Sequence, residues 1–482
     1  DQIEYAGQPL ASRDRANWRV RVWGAADEVS AWSDSAAFGV GLLNAGDWTA
    51  LWISAKENQE FTTTDNIQNF IGHPIRGKLT VTPAKYLRKE FEAPAIVRAT
   101  VHATALGVYT LEVNGQRVSD ERLAPGWTSY QKRIHSQTYD VTKLMKEGKN
   151  AIGATLADGW YSGYVAYALI SDVDGTVPGV YGRYLYGATP AVRVQLELEL
   201  ADGSRQTITS DTTWKTALGP IIESDILMGE SYDARKEISG WSTPGFDSTA
   251  WQAAVCKTGS DAKVEPHPGV PVRAIEEMPA KTVREHQPGV FIYDLGQNIS
   301  GVARLKVKGK SGDKVTIRYA EILHADGRLS TENLRGARAV DTYILKGDPA
   351  GETWTPEFTY HGFQYIELTG FPGKPELDAV TGIVIHSDTP RHGTFVTSDP
   401  MLNRLYQNMC WTQRANFFEV PTDCPQRDER MGWTGDAQIY VRAATFNADI
   451  SAFYTKWLRD LNDDQWDFGS YPSFAPRPYS LA

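Results

Sequence analysis

The sequence predicts β-sandwich domains followed by the beginning of a helical domain, and three observations lead to that fold class. Short segments in which apolar and polar residues alternate fill most of residues 80 to 388. Near residue 390 the apolar period changes from two to that of a helix. Among the first helical patterns lies Val420 to Gln438, which follows neither period and holds Asp423, Asp428, Glu429 and Asp436, together with Arg427, Arg430 and Trp433.

The chain has 482 residues, of which 41% are hydrophobic. That length accommodates about three or four domains. A formal net charge of −10 without a long basic run argues against nucleic acid or an anionic membrane as partner. Small neutral substrates fit better. The 15 Trp and 22 Tyr, with carboxylates, suit a carbohydrate surface, because sugars offer apolar faces to stack and hydroxyls to bond; large all-β proteins also use many aromatics. Cys256, Cys410 and Cys424 suggest neither a disulfide framework nor a zinc site, and no cofactor or metal is implied. No apolar run reaches transmembrane length. The N-terminus is unlike a signal peptide and starts as though inside a domain, so the chain is expected to be cut at its start.

Taken in order, residues 1–45 read as the last strands of a β-domain. Trp18 to Trp23 alternates, Ser30 to Ser33 follows a polar turn, and Phe38 to Leu42 closes the unit. They resemble the end of a fibronectin type III module. Residues 46–270 read as a β-sandwich. Tyr109 to Val113 runs into Asn114-Gly115, a hairpin signal. Arg193 to Leu200 puts Val194, Leu196, Leu198 and Leu200 on one face and turns at Asp202-Gly203. The aromatic insertion from Asp158 to Gly187 is expected to pack its own side chains over a sheet.

Residues 271–388 read as a second sandwich, with alternation in Arg304 to Lys308, Lys314 to Tyr319 and Tyr360 to Leu368. Asp294 to Asn298 and His361 are assigned to structure, since Asp, Gly and Asn are what turns need. Residues 389–482 turn helical. Ser398 before Asp399-Pro400 marks a start, and Leu402, Leu405, Tyr406 and Met409 share a face. Asp436 is placed to cap a second helix carrying Ile439 and Ala443. Ile450, Phe453, Tyr454, Trp457, Leu458 and Leu461 form the clearest apolar face. These helices lack partners in the remaining sequence, so a helical domain is expected to have been cut partway.

The acid-rich loop has a definite chemical capacity. Cleaving a glycosidic bond requires a proton donor beside the leaving oxygen and a second carboxylate as base or nucleophile. Crowding and burial hold one carboxylate protonated near neutral pH, while Arg427 and Arg430 are expected to keep others ionised. Trp433 offers a flat face to a sugar. Spacing alone leaves a salt-bridge network and a catalytic site both open. A Cys424 nucleophile has no histidine close in the loop to activate it.

Pro421 to Gln438 resembles the signature of the bacterial α-L-rhamnosidases, glycoside hydrolase family 78. The likeness extends through Tyr86–Phe91, Ala105–Tyr109, Ala124–Trp127, Asp158–Trp160, Tyr232–Arg235, Asp294–Asn298, Thr331–Arg335 and Tyr360–Phe363. The resemblance implies β-sandwich domains followed by an (α/α)6 barrel, and inverting release of terminal α-L-rhamnose from glycosides or polysaccharides. Carried over by motif position, Glu429 is the general acid, Asp423 and Asp436 bind rhamnose hydroxyls, Arg427 and Asp428 shape the pocket, and Trp433 lines it. The family's base is another Glu from a later barrel loop, which nothing in residues 439–482 matches. The expectation is therefore a fragment that is inactive alone. Two alternatives are a non-catalytic rhamnose-binding protein and a helical-barrel glycosidase for another neutral or deoxy sugar.

Overall fold

The computed structural model of the protein describes residues 5–56, 62–70, 73–166, 182–257 and 260–477. Alternation becomes strand where one face can be buried. In Ala191–Leu200 the side chains of Val194, Leu196 and Leu198 are at most 1% exposed, and Glu197 and Glu199 on the opposite face keep contact with solvent. This strand pairs antiparallel with Ile96–Leu106 and, across the Asp202-Gly203 turn, with Arg205–Thr209. Val108–Val113 returns through Asn114 (φ 53°) and Gly115 (φ 79°) to Gln116–Arg117, the two left-handed residues that a tight hairpin requires. A seven-stranded and a six-stranded sheet enclose one apolar core that includes Leu87, Val101, Leu111, Ile152 and Leu196.

The next sheet has ten strands in one continuous hydrogen-bonded system. Its longest strand, Val290–Val307, shifts register between Asp294 and Ile299. Ile221–Asp225 and Gly229–Asp233 join the same sheet, the latter parallel to Val340–Ile344. The sheet thus draws on chain that the sequence pattern gives to the first sandwich. His361 lies buried in it, stacked on Tyr319 at 4.1 Å and bonded to Asp341 at 3.1 Å, as a structural histidine would be.

Among the described residues at the N-terminal end, Arg15–Trp18 and Ala36–Gly39 pair as strands. The expected strand from Trp18 to Trp23 is a looser ladder, with Ser30 N–H donating to Val22 O at 2.9 Å and Ser33 N–H to Val20 O at 2.8 Å. Its apolar side chains remain exposed, among them Trp18, Val22 and Trp23. Without a buried face, alternation does not enforce regular pairing. Arg21 instead lies 4.9 Å from the ring of Trp23 and 4.6 Å from that of Trp32.

The aromatic insertion begins with a short helix, α1 (Gly159–Ser162). Trp160 stacks on Trp127 at 6.0 Å, and Tyr161 and Tyr186 meet Tyr130 edge-on at 5.3 and 5.0 Å. Tyr167 and Tyr181 lie outside the described residues.

Three longer helices follow: α2 (Pro400–Asn416), α3 (Thr434–Asn447) and α4 (Ser451–Asp463). Asp399, one residue after the expected Ser398, caps α2 by accepting from Met401 N–H at 2.7 Å. The buried residues of α2 are Cys410, Gln413 and Ala415; Gln413 accepts from Tyr440 at 3.0 Å and Asn447 at 2.8 Å on α3, while Arg414 reaches His386 at 3.0 Å and Glu276 at 2.9 Å on the sheet. Leu402, Leu405 and Met409 point away from that sheet. With Phe395, Ala443 and Phe446 they line a cavity of about 520 Å³ between α2 and α3. On α3 the expected apolar residue Ile439 is exposed. None of these helices is long and apolar enough to cross a membrane, among the described residues.

The buried face of α4 departs from the purely apolar one expected. Phe453, Tyr454 and Trp457 are buried, Leu458 is exposed, and Lys456 and Asp460 are buried with the aromatics. Lys456 Nζ lies 2.9 Å from Asp460 and 3.8 Å from Glu419, and it donates to the carbonyl of Trp127. Thr128 donates to Asp460 at 2.6 Å, Ser129 to Asp464 at 2.8 Å, and Arg133 pairs with Asp463 at 2.7 Å. A polar stripe on α4 thereby fits a polar stripe after Trp127. Replacing Lys456 with Ala strands two buried carboxylates, a loss of about 3–5 kcal/mol. A clear fall in the urea midpoint, with faster hydrogen exchange in α4, is the expected result; an unchanged midpoint would contradict this account.

Candidate active site

The acid loop is pinned at both ends by short strand pairs. Phe417–Phe418 pairs with Val420–Pro421, and Gly432–Trp433 with Phe474–Ala475. Phe418 stacks on Tyr360 at 3.6 Å and Phe417 on Phe453 at 4.4 Å. Within the loop Asp423 N–H donates to Met431 O at 3.2 Å, and Met431 N–H donates back to the Asp423 carboxylate at 3.1 Å. This ring presents residues 424–430 to the sheet beneath. Gly362 of the Tyr360–Phe363 stretch is required there, since a Cβ would meet Pro425 and Gln426 at 2.7 and 2.9 Å. Gly336 makes the same allowance for Asp428.

Glu429 and Arg430 both have left-handed backbones, φ 134° and 52°. Such conformations cost about 1–3 kcal/mol each, and neighbouring elements hold them. Ala166 of the aromatic insertion forms an antiparallel bridge with Glu429. Asp428 N–H donates to Leu334 O at 3.3 Å. Arg430 is nearly fully buried, donates to the carbonyls of Tyr360 at 2.8 Å and Ile226 at 3.2 Å, and lies 4.4 Å from the Tyr360 ring. Its described bonds go to carbonyls and to no carboxylate. The expectation that Arg430 keeps the acids ionised is therefore corrected: it is a strut for the loop.

The charge partner of the acids comes from elsewhere. Arg335, at the end of the Thr331–Arg335 stretch, pairs with Glu429 Oε2 and lies 3.5 Å from Asp428. Arg427 bonds the same Glu429 oxygen at 3.0 Å and Asp423 at 3.1 Å, as expected of it. The Trp433 indole N–H donates to Glu429 Oε1 at 3.2 Å, and its ring sits 5.1 Å from Phe474. Sequence reasoning missed Arg335 because 94 residues separate it from Glu429; the only signal was its presence in a family-like stretch. Asn298 also reaches this neighbourhood. It bonds Glu321 at 2.8 Å, and Glu321 feels the charge of Arg427.

Electrostatics separates the carboxylates in an order that composition did not suggest. Burial pushes Asp428 up to about 7, with Arg335 opposing, and pushes Asp423 up to about 6. Burial acts on Glu429 too, but the bonds and charges of Arg335 and Arg427 outweigh it and hold that carboxyl below its usual range. Burial thus makes the two aspartates the most readily protonated, and Glu429 rests ionised. Asp436 is exposed in the first turn of α3, whose N-cap is Trp433, so its expected capping role is corrected as well. Burial pushes the Cys424 thiol far up, which removes the thiolate a nucleophile requires. The ligating atoms of Asp423, Cys424 and Glu429 lie within 4.8 Å of one another. Both carboxylates of that group are held by guanidinium groups.

Four family models match in succession along the chain. They describe an N-terminal immunoglobulin domain at residues 1–44, an alpha-L-rhamnosidase N-terminal domain at 94–276, a bacterial alpha-L-rhamnosidase concanavalin-like domain at 284–386 and a bacterial alpha-L-rhamnosidase 6 hairpin glycosidase domain at 390–481. The chain belongs to the bacterial α-L-rhamnosidase family. An α-L-rhamnosidase of Streptomyces avermitilis is 48% identical over 82% of this chain and 37% of its own length. One of Formosa agariphila is 40% identical over 98% of this chain and 49% of its own length. The chain therefore spans half or less of these curated relatives. Among solved structures, a Streptomyces avermitilis α-L-rhamnosidase complexed with L-rhamnose superposes with a TM-score of 0.88 at 35% identity, covering 98% of this chain and 59% of that one. The native enzyme from Aspergillus terreus gives 0.88 at 38%, covering 98% and 52%.

Asp428 provides a test of the site's electrostatics in this rhamnosidase-family chain. Its folded value of about 7 lies above the ordinary 3.8, so the folded state holds a proton that the unfolded state has lost. The stability that this group contributes accordingly falls as pH rises from about 4 to about 7. In urea titrations Asp428→Asn is expected to flatten that fall, and an unaltered pH dependence would refute the assignment.

Proposed function

We propose that the chain provides the acid side of the active centre of an inverting glycoside hydrolase that releases terminal α-L-rhamnose from glycosides or polysaccharides. The observation that carries this reading is the convergence of Arg335, Arg427 and Trp433 on the single carboxylate of Glu429, in a chain that superposes along nearly its whole length on an enzyme complexed with L-rhamnose. Glu429 is the general acid that protonates the glycosidic oxygen. Asp423 and Asp436 bind rhamnose hydroxyls, and Trp433 lines the sugar. Asp428, at 1% exposure, shapes the pocket from beneath with Arg427.

In this reading α2, α3 and α4 open an (α/α)6 barrel. The base, another Glu, comes from the part of the relatives' length that these 482 residues do not span. Inversion requires the two carboxylates about 6.5–9.5 Å apart with a water between them. The ionised resting state of Glu429 means that a proton must be loaded before bond cleavage. A bound sugar that draws one guanidinium aside, or screens it, raises the affinity of Glu429 for that proton.

Two measurements test the proposal. In a polypeptide that hydrolyses p-nitrophenyl α-L-rhamnoside, Glu429→Gln is expected to lower kcat by about 10² to 10⁴-fold with rhamnose binding retained. Unchanged p-nitrophenol release would remove Glu429 from the acid role. Residues 1–482 alone are expected to show no turnover, and detectable hydrolysis by that chain would overturn the placement of the base.

A further inference from the structure

Among the described groups that face Glu429, Arg335 is supplied by the ten-stranded sheet unit. Asp423, Cys424, Arg427 and Asp428 belong to the loop itself, Trp433 follows it, and Ala166 contributes backbone alone. Arg335 is held for this task. Its backbone is left-handed (φ 53°) after the short turn Glu332–Leu334. The carbonyl of Leu334 accepts from Asp428 N–H, and Gly336 lies against the Asp428 side chain. The guanidinium therefore enters from a segment wedged under the loop, at 17% side-chain exposure. It shares Glu429 Oε2 with Arg427, while the other oxygen faces the indole N–H. In this arrangement both oxygens of Glu429 face donors, a setting suited to a carboxylate and poor for a carboxylic acid.

We infer that Arg335 is a positioning residue that clamps Glu429 as a carboxylate and thereby sets the pH at which the acid of this site carries its proton. The inference rests on the reading of Glu429 as proton donor, and it adds that the pH range of hydrolysis is controlled from the sheet unit. Each guanidinium also faces an aspartate, Arg427 facing Asp423 at 3.1 Å and Arg335 facing Asp428 at 3.5 Å, so the clamp on Glu429 takes both. Removing Arg335 leaves Glu429 one guanidinium and raises its proton affinity, so the alkaline limb of kcat/KM moves to higher pH. A residue that merely stabilised the loop would lower activity or folding and leave that limb in place.

The test compares Arg335→Gln, Arg335→Ala and Arg335→Lys with the parent by two readouts. One is the titration of Glu429 in residues 1–482, followed by carboxylate signals in ¹³C NMR after selective glutamate labelling and assigned with Glu429→Gln. The other is the pH profile of p-nitrophenyl α-L-rhamnoside hydrolysis in the longer active polypeptide. Both the titration and the alkaline limb are expected to move up by about 1 pH unit in Arg335→Gln and Arg335→Ala, with Arg335→Lys restoring most of the parent value. If the Glu429 titration in Arg335→Gln stays at the parent pH, the inference is overturned. Should Arg335→Ala fail to fold, Arg335→Gln and Arg335→Lys still decide it. Full hydrolysis by Glu429→Gln would end the proton-donor reading on its own, while the NMR titration would continue to report on the clamp.

Discussion

The ammonium of Lys456, 1% exposed and enclosed by Glu419, Asp460 and the Trp127 carbonyl, ties the helical part of this chain to the first sandwich. Burying a charge is tolerable only when partners replace its water. Here the partners come from α4 itself, from the start of the acid loop and from the segment after the Asn114-Gly115 hairpin. Burial raises the proton affinity of Glu419, but His267 and Lys456 more than offset it and keep it ionised. Glu419 lies between the paired strands Phe417–Phe418 and Val420–Pro421, so the same ion pair that docks α4 also locks the entrance of the loop. The position of every acid downstream depends on that lock.

Beyond it, the loop is shaped by surfaces it does not own. Tyr360 supports Phe418 and Arg430, Gly362 admits Pro425, the backbone of Ala166 holds Glu429, and Arg335 neutralises it. The result is a graded set of carboxyls within a few residues. Asp428 and Asp423 are driven upward by burial, and Glu429, held by two guanidinium groups, is driven downward. Sequence proximity and electrostatic similarity are unrelated here, because burial and guanidinium contacts differ from one carboxylate to the next.

How much of this was legible in the sequence follows from range. Strands such as Ala191–Leu200 and the Asn114-Gly115 hairpin are local effects, written in alternation and turn chemistry, and the change to helices near 390 is equally local. The faces of those helices were less legible. Period alone identified an apolar stripe on α2, yet the residues buried there are Cys410, Gln413 and Ala415, and on α4 a buried Lys456 and Asp460 displaced Leu458. Polar residues in a buried face are unreadable without their partners. In the site, Arg427 was found because its acids are two and four residues away, whereas Arg430 was misassigned and Arg335 overlooked because their partners lie across the fold. Composition announced the charges; only three-dimensional pairing distributed them.

The bridge from Ala166 and the guanidinium from Arg335 have a consequence for modularity. Both belong to units that precede the helices, yet each touches the residue on which the proposed chemistry turns. The sandwich and sheet units are thus not detachable adaptors serving an autonomous helical machine. A graft of the helices onto another scaffold would bring along four carboxylates and leave one of their counter-charges behind. The acid loop keeps its full set of counter-charges only together with the sheet that answers it.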